Sequence, residues 1–317
     1  MDVSSETENN APLLTPANVR EIAARIDVRP TKVLGQNFVH DANTVRRIVR
    51  AAELHCDDVV MEVGPGLGSL TLALLDTGAP VIAVEIDPKL AAALPETISR
   101  FRPEREASLA VLNKDALALR PGDLIADGAA HLGAPTALVA NLPYNVAVPV
   151  LLTVLERFDS VRRVLVMVQA EVADRLAAGP GSRVYGAPSV KAAWYGDVER
   201  AGLIPRQVFW PVPNVESGLV RLTRRSQPLT GGTLGEELAA GVEATPSEVF
   251  AVVDAAFAQR RKMLRSALGA VFGGEQALVA LERAGVDPTA RGETVDIEGF
   301  IRIALALRGS DKSGSTK

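Results

Sequence analysis

The sequence Glu62-Val63-Gly64-Pro65-Gly66-Leu67-Gly68 ends a β-branched, apolar run, Val59–Val63, and precedes a helical stretch, Leu70–Leu75. Glycines let the chain turn tightly and let a ligand approach the backbone, because no Cβ intrudes. The dinucleotide fingerprint G-x-G-x-x-G would place its third glycine at position 69, but here it falls at 68 and a serine follows. The pattern predicts a cofactor-binding loop after the first strand of an α/β sheet, with a purely structural turn as the alternative.

Strands and helices alternate on both sides of this loop. The further apolar runs are Val81–Ile86, Leu109–Leu112, Ala137–Ala140 and Val164–Val168, and helical stretches at Pro88–Phe101 and Val148–Phe158 lie among them. Continuously apolar strands separated by helices predict a parallel sheet covered on both faces, with ligands beyond the carboxyl ends of the strands. Lys191–Val198 and Ser217–Thr223 are predicted as an antiparallel strand pair that closes the sheet edge. We therefore expect a Rossmann-like α/β fold.

The length of 317 residues fits two domains. We expect a disordered tail over residues 1–14, the sheet domain over 15–225, a linker over 226–235, a helical domain over 236–310 and a second tail over 311–317. The sheet domain begins with a helix from Thr15-Pro16 to about Arg25, and Thr245-Pro246-Ser247-Glu248 has the capping-box pattern.

The composition argues against several classes of protein. A single cysteine, Cys56, excludes an internal disulfide; it is better read as a plain thiol than as a nucleophile. Three scattered histidines do not predict a metal site. The chain lacks a bilayer-spanning apolar run and begins with a polar, acidic stretch, so we expect a cytoplasmic protein. A net charge of −4 counts against a nucleic-acid partner unless basic residues are clustered.

Acidic residues follow the second and third strands. Glu85 lies about twenty residues beyond the first glycine, where it would accept hydrogen bonds from the ribose of a nucleoside cofactor. Asp87 precedes Pro88 and is expected to cap the next helix. Asp115, after the third strand, would accept from the cofactor's adenine amino group.

The fourth strand ends in Asn141-Leu142-Pro143-Tyr144. A purine amino group is a poor nucleophile, because its lone pair is delocalised into the ring. An Asn side-chain oxygen and a backbone carbonyl would favour the pyramidal form that attacks a methyl group, and an aromatic ring would stack on the base. A bare strand-end turn is the alternative.

These motifs resemble those of the adenine-N6 dimethyltransferases of ribosomal RNA. The resemblance covers roughly residues 30–308, and its further motifs are Gly35–Phe38, Asn113–Leu117, Val168–Leu176, Tyr185–Val190, Phe209–Ser217 and Phe257–Lys262. Leucine between the second and third loop glycines and Arg-Arg-Lys near the C terminus resemble the small-subunit (16S) group more than the large-subunit enzymes of macrolide resistance.

The resemblance implies a class I methyltransferase sheet with a small all-α C-terminal domain. It implies transfer of methyl groups from S-adenosylmethionine to two adjacent adenosines near the 3′ end of 16S rRNA, within an immature small subunit, by a chain that we expect to be monomeric. Carried over by position, the cofactor contacts are Asn37, Val39, Gly64, Gly66, Glu85, Asp115 and Asn141. Leu142 would lend its carbonyl, Pro143 would fix the turn, and Tyr144 and Phe209 would sandwich the target base.

A basic cluster answers the objection from net charge. Arg260, Arg261, Lys262 and Arg265 are predicted to lie in one helix, with residues 261 and 265 on a common face. Each cation near a phosphate releases counterions, so such a cluster can bind RNA despite a negative total charge. A solvated basic helix end is the alternative.

Two other functions compete with this interpretation. Methylation of glutamine N5 or of DNA adenine uses Asn-Pro-Pro-Tyr or Asp-Pro-Pro-Tyr, and Leu142 in place of the first proline argues against both. An assembly factor with dispensable catalysis is the third hypothesis, and the intact cofactor motifs argue that the chain is not only that.

Overall fold

The computed structural model describes residues 12–30, 36–227, 229 and 244–311, with side chains up to residue 308. Its strands are β1 (Phe38–Val39), β2 (Val60–Val63), β3 (Val81–Glu85), β4 (Leu109–Asn113), β5 (Ala137–Asn141), β6 (Arg163–Gln169), β7 (Gly196–Ile204), β8 (Phe209–Trp210) and β9 (Ser217–Arg224). Helices α1–α8 span Pro16–Arg25, Ala42–Ala51, Ser69–Leu75, Pro88–Phe101, Pro121–Ala126, Ala147–Arg157, Ala170–Leu176 and Ala187–Tyr195. Helices α9–α12 span Pro246–Ala258, Leu264–Phe272, Gly274–Arg283 and Ile297–Asp311. Short 3-10 turns occupy Pro103–Ser108, Ala130–Leu132, Arg206–Val208 and Gly292–Thr294.

Seven strands form one sheet in the order β4-β3-β2-β5-β6-β9-β7. The five strands from β4 to β6 are parallel, which confirms the predicted parallel sheet. Strands β2 and β3 have every residue buried, as expected for strands covered on both faces. Since these strands are parallel, their carboxyl ends meet at one edge of the sheet.

The predicted strand at Lys191–Val198 is wrong for its first five residues, which belong to α8. Pro188 lies in the first turn of α8, and the Gly186 N–H donates to the Ser189 hydroxyl oxygen at 3.1 Å. The rings of Trp194 and Tyr195 both make edge contacts with the ring of Phe250. Packing of these aromatic rings outweighs the strand preference of the sequence.

The start of the chain also differs from the prediction. Leu13 and Leu14, assigned to a disordered tail, are 4% and 1% exposed and belong to the hydrophobic core with Val19 and Ile22 of α1. Thr15 caps α1 as predicted, since its side chain accepts from the Asn18 N–H. Residues 1–11 of the predicted tail lie outside the described part of the chain.

The chain divides into two compact units, Met1–Ala173 with Arg200–Arg221, and Asp174–Glu199 with Leu222–Lys317. The sequence prediction assigned 174–199 to the sheet domain. These residues instead belong with the C-terminal helices, because Tyr185 is buried there, its hydroxyl donates to the Val295 carbonyl at 3.0 Å, and Lys191 pairs with Asp254 at 2.7 Å. Of the predicted linker, 226–235, only residues 226, 227 and 229 are described, and the predicted tail at 312–317 also lies outside the described residues.

Helices α9–α12 pack around a second hydrophobic core that includes Val253, Leu264, Leu268 and Phe300. Thr245 and Glu248 form the predicted capping box at the start of α9. Within the part of the chain that the structure describes, no helix has the length and apolarity needed to cross a membrane.

Candidate active site

A cleft of about 280 Å³ opens at the carboxyl ends of the central strands. All seven residues predicted to contact a cofactor line it: Asn37, Val39, Gly64, Gly66, Glu85, Asp115 and Asn141. They come from β1 and the residue before it, the loop after β2, the ends of β3 and β5, and the turn after β4, so the fold brings together residues that are far apart in sequence. Among the described residues, no group of three or more His, Cys, Asp and Glu side chains could hold a metal ion.

The glycine loop is shaped by positive φ angles and by a close aromatic contact. Gly64 and Gly66 have φ of +71° and +57°, a region that L side chains rarely adopt. A Cβ on Gly66 would lie 2.8 Å from two ring atoms of Phe38. Both the backbone conformation and the approach of Phe38 therefore require glycine at position 66.

Glu85, at the end of β3, is hydrogen-bonded to the backbone of this loop. Its carboxylate is 5% exposed and accepts the Gly66 N–H at 3.2 Å and the Asp87 N–H at 3.0 Å. Burial raises the pKa of Glu85, and these two hydrogen bonds oppose that rise. Asp87 caps α4 as predicted, by accepting the Lys89 N–H at 2.9 Å.

Glu62 is a second buried acid in the cleft wall, to which sequence reasoning gave no role. It is 1% exposed, and its Oε2 accepts the Thr71 hydroxyl at 2.7 Å. Burial, together with the negative charge of Glu85, raises the pKa of Glu62 to about 8, although the Thr71 hydrogen bond opposes this rise. An acidic residue inside an otherwise apolar strand was the signal that could have identified it.

Asp115 lies at the rim of the cleft, beyond the end of β4. Its Oδ1 accepts the Leu117 N–H at 2.9 Å, which orients the carboxylate. The neighbouring Lys114 ammonium lies 3.1 Å from Asp123 and 3.4 Å from Asp127. Asp115 therefore remains an exposed acceptor beside a lysine that is paired with other acids.

Asn141 ends β5, and its side-chain amide is held in place. The Nδ2 donates to the Asn37 carbonyl at 3.0 Å, so the segment before the sheet contacts the end of the fourth parallel strand along the chain. With the amide nitrogen engaged, Oδ1 is the acceptor that Asn141 can offer to a ligand. Leu142 is 1% exposed and donates its N–H to the Met167 carbonyl at 3.1 Å, which anchors the turn to β6.

Tyr144 follows in the same turn and is half-buried. Its hydroxyl lies 2.7 Å from the hydroxyl of Ser217, which is fully buried. Burial raises the pKa of Tyr144, so the phenol is neutral near pH 7. No local pattern indicates this pair, because 73 residues separate its members.

Phe209 does not present its ring to the cleft, which differs from the predicted sandwich. Its side chain is 1% exposed, in the core, and β8 pairs antiparallel with β1 so that Phe209 lies opposite Val39. Successive strand residues face opposite sides. The next ring, Trp210, is half-buried and stacks on Phe38 with ring centroids 6.2 Å apart.

The basic cluster lies in a turn, so the prediction of one continuous helix is wrong. α9 ends at Ala258 and α10 begins at Leu264, which places Arg260, Arg261 and Lys262 between them and only Arg265 in a helix. The extended backbone of Met263, with φ −67° and ψ 149°, separates the two helices. All four side chains are exposed, and Arg260 in addition pairs with Glu293 at 3.3 Å and donates to the Arg183 carbonyl.

Comparison with known proteins gives a family match over most of the chain. The sequence pattern of the family described as ribosomal RNA adenine dimethylase matches residues 29–308. A protein of Streptomyces coelicolor named ribosomal RNA small subunit methyltransferase A is 61% identical over 295 residues, covering 92% of this chain and 96% of that protein. One of Corynebacterium glutamicum with the same name is 54% identical over 308 residues, covering 97% and 99%.

Solved structures show the same fold. The 23S rRNA methyltransferase ErmE is 27% identical, with a TM-score of 0.59 over 86% of this chain and 99% of that one. A dimethyladenosine transferase from Plasmodium falciparum gives a TM-score of 0.69 at 20% identity, over 86% and 98% of the two chains.

Proposed function

This chain belongs to the ribosomal RNA adenine dimethylase family, and we propose that it dimethylates the N6 amino groups of two adjacent adenosines near the 3′ end of 16S ribosomal RNA. It is an S-adenosylmethionine-dependent rRNA adenine dimethyltransferase. The main support for the proposed site is that the turn beginning at Asn141 (residues 141–144, the Asn141 turn) and the glycine loop line the same cleft.

The residues of the cleft fit the cofactor. At Gly64 an added Cβ would occupy space 3.7 Å from the Asn141 carbonyl oxygen, so glycine leaves room between the loop and the end of β5. Glu85 and Asp115 supply carboxylates for ribose hydroxyls and for the adenine amino group. When bound, S-adenosylmethionine supplies a methyl group on a positively charged sulfur.

The Asn141 turn supplies the acceptors that activate the target nitrogen. Asn141 Oδ1 and the Leu142 carbonyl would each accept one N–H of the adenine amino group, which draws its lone pair away from the ring. Asn37 holds the Asn141 amide and Met167 holds the Leu142 backbone, so both acceptors are fixed before substrate binds. Such positioning is expected to supply most of the acceleration.

Tyr144 would stack on the adenine and hold its amino group at this turn. The first transfer, with loss of one amino proton, leaves a single N–H for the two acceptors, so the base must rotate or rebind before the second transfer. Phe209 would join this stack only if its buried ring became exposed, and we therefore assign the stacking role to Tyr144 alone.

Two exposed cations of the turn at 259–263, together with Arg265 of α10, are proposed to contact RNA phosphates. Arg261, Lys262 and Arg265 are exposed, so their charges are available to a polyanion. We propose that the chain acts as a monomer on an immature small subunit, late in its assembly, since one chain carries both the cleft and the basic turn.

Incubation with unmethylated small subunits and labelled S-adenosylmethionine tests this function. Mapping of the label should find two dimethylated adenosines, four methyl groups in all, near the 3′ end of 16S rRNA. Fully methylated subunits serve as the matched control and should accept no label. Label on another base, or on protein, would refute the proposed substrate.

A further inference from the structure

The hydroxyl pair of Tyr144 and Ser217 links the base-stacking ring to a rigid part of the sheet. Ser217 is the first residue of β9, which lies beside β6, and Tyr144 follows β5 on the other side of β6. The two oxygens are 2.7 Å apart, and Ser217 is 0% exposed. Water therefore does not compete for the Ser217 hydroxyl, and Tyr144 is its partner.

The backbone that carries Ser217 is fixed on both sides. The preceding residue, Glu216, accepts the Ala170 N–H at its carbonyl at 2.9 Å and the Arg206 N–H at its carboxylate at 2.9 Å. On the other side, a Cβ added to Gly218 would lie 2.7 Å from the Cβ of Ala173. Ser217 is thus held at a set position relative to the end of β6, and it can transmit that position to Tyr144.

Within the described part of the chain, Ser217 is the hydrogen-bond partner of the Tyr144 hydroxyl, and Tyr144 lies in a turn rather than in a strand. Rotation about the Cα–Cβ bond would swing the ring and change the place where a base stacks. A hydrogen bond at the far end of the ring restricts this swing more effectively than contacts near the backbone.

We propose that Ser217 is a positioning residue that fixes the place and long axis of the Tyr144 ring, so that adenine is presented to the Asn141 turn at the same position for each methyl transfer. This inference rests on the proposed function, in which Tyr144 stacks on the target base. Neither the family match nor the resemblance assigns a role to Ser217.

Nuclear magnetic resonance of the protein labelled with 3-fluorotyrosine tests the structural part without RNA. The chain has three tyrosines, Tyr144, Tyr185 and Tyr195, so the spectrum is simple. Ser217→Ala should shift or broaden the Tyr144 signal alone. Ser189→Ala is the matched control, since Ser189 is also a buried serine whose hydroxyl is bonded, there to the Arg175 carbonyl. An unchanged Tyr144 signal in Ser217→Ala would overturn the proposal.

Single-turnover kinetics on unmethylated small subunits test the functional part. Loss of one hydrogen bond should slow methyl transfer about 3- to 10-fold in Ser217→Ala, with the cofactor dissociation constant unchanged. Monomethylated adenosine should accumulate, because the base must be presented twice. A general loss of folding would instead lower the thermal midpoint and the active fraction while leaving the rate of the active molecules unchanged.

Tyr144→Phe removes the same bond from the other side and covers the case in which Ser217→Ala fails to fold. The double variant Ser217→Ala/Tyr144→Phe should be no slower than Tyr144→Phe alone, because one bond cannot be lost twice. Additive losses would overturn the proposal. If wild-type protein labels no adenosine, the proposed function fails, while the fluorine spectrum still decides whether Ser217 orders Tyr144.

Discussion

Asn141 joins the cofactor cleft to the proposed base site, and its replacement tests that role. Asn141→Ala removes the Oδ1 acceptor and the bond to the Asn37 carbonyl. We expect methyl transfer to fall by about 100-fold or more, as for other oriented polar groups in active sites, while cofactor binding remains measurable by calorimetry. Asn43→Ala, at an exposed asparagine of α2, is the control and should retain activity. Near-normal turnover of Asn141→Ala would refute the role of the turn.

Glu62 predicts a specific dependence of stability on pH. Its pKa is about 8 in the folded protein against 4.5 ordinarily, so between these values the folded state binds more protons than the unfolded state. The free energy of unfolding should therefore decrease as pH rises from about 5 to 8. Glu62→Gln keeps an acceptor for Thr71 but has no charge to bury, so its stability relative to wild type should increase with pH.

Urea denaturation at pH 6, 7 and 8 measures this difference. Glu282→Gln, at an exposed acid of α11, is the control and should run parallel to wild type. The assignment of a protonated Glu62 would be wrong if the Glu62→Gln and wild-type curves also stayed parallel.

At the scale of residues, the sequence predicted the polar groups at strand ends better than the buried side chains that contact the site from behind. Glu85 and Asn141 were predicted because each follows a strand of a parallel sheet, and the structure places both in the cleft. Ser217 ends the motif Phe209–Ser217, but no neighbouring residue indicates its role, since its partner lies in a distant turn. The burial of Phe209 depends on the pairing of β8 with β1, two strands of two residues each, which no periodicity can reveal.

At the scale of elements, the contact of β1 with the glycine loop gives a further prediction. Gly66→Ala would force a methyl group to within 2.8 Å of the Phe38 ring and displace β1, which lines the cleft. We expect cofactor affinity to fall at least about tenfold, a cost near 1.4 kcal/mol. Calorimetric titration with S-adenosylmethionine measures it.

The variant Gly78→Ala distinguishes the effect of the Phe38 contact from the effect of backbone strain. Gly78 also has a positive φ, +89°, but an added Cβ would meet nothing within 4 Å. Both variants should lose stability from the positive φ, by about 1 kcal/mol, and only Gly66→Ala should lose cofactor affinity. Equal affinity losses in the two variants would show that strain, and not Phe38, shapes the loop.

Elements with strong local signals were predicted closely, and those set by tertiary packing were not. The capped helix Pro88–Phe101 has the predicted bounds, because Asp87 and Pro88 define its start. The predicted strand at 191–195 is helical, because its aromatic residues pack on Phe250. The continuous apolar spacing from Phe250 to Leu268 concealed the turn at 259–263, since both helices contribute to one core.

At the scale of the whole molecule, a net charge of −4 must be reconciled with an RNA substrate. If its charges were evenly mixed, a chain with a negative net charge would be repelled by phosphates at long range. Binding therefore depends on local groups of cations. The exposed Arg261, Lys262 and Arg265 supply such a group, and Arg260 is partly neutralised by Glu293. RNA binding should therefore depend on a small number of charges out of 34 basic residues.

The triple variant Arg261→Gln/Lys262→Gln/Arg265→Gln tests this dependence. If each cation contacts one phosphate, the slope of log K against log salt concentration should decrease in magnitude by about 2 to 3. Affinity for unmethylated small subunits should fall most at low salt, where counterion release contributes most. Cofactor binding should not change, because none of the three residues lines the cleft.

Arg20→Gln/Arg120→Gln/Arg162→Gln removes the same total charge from other exposed positions and is the matched control. Because counterion release requires close contact with phosphates, this variant should keep the wild-type salt slope even though its net charge is equally altered. A uniform loss of affinity in both triple variants would mean that total charge governs binding. An unchanged slope in the 261/262/265 variant would place the RNA contacts elsewhere on the protein.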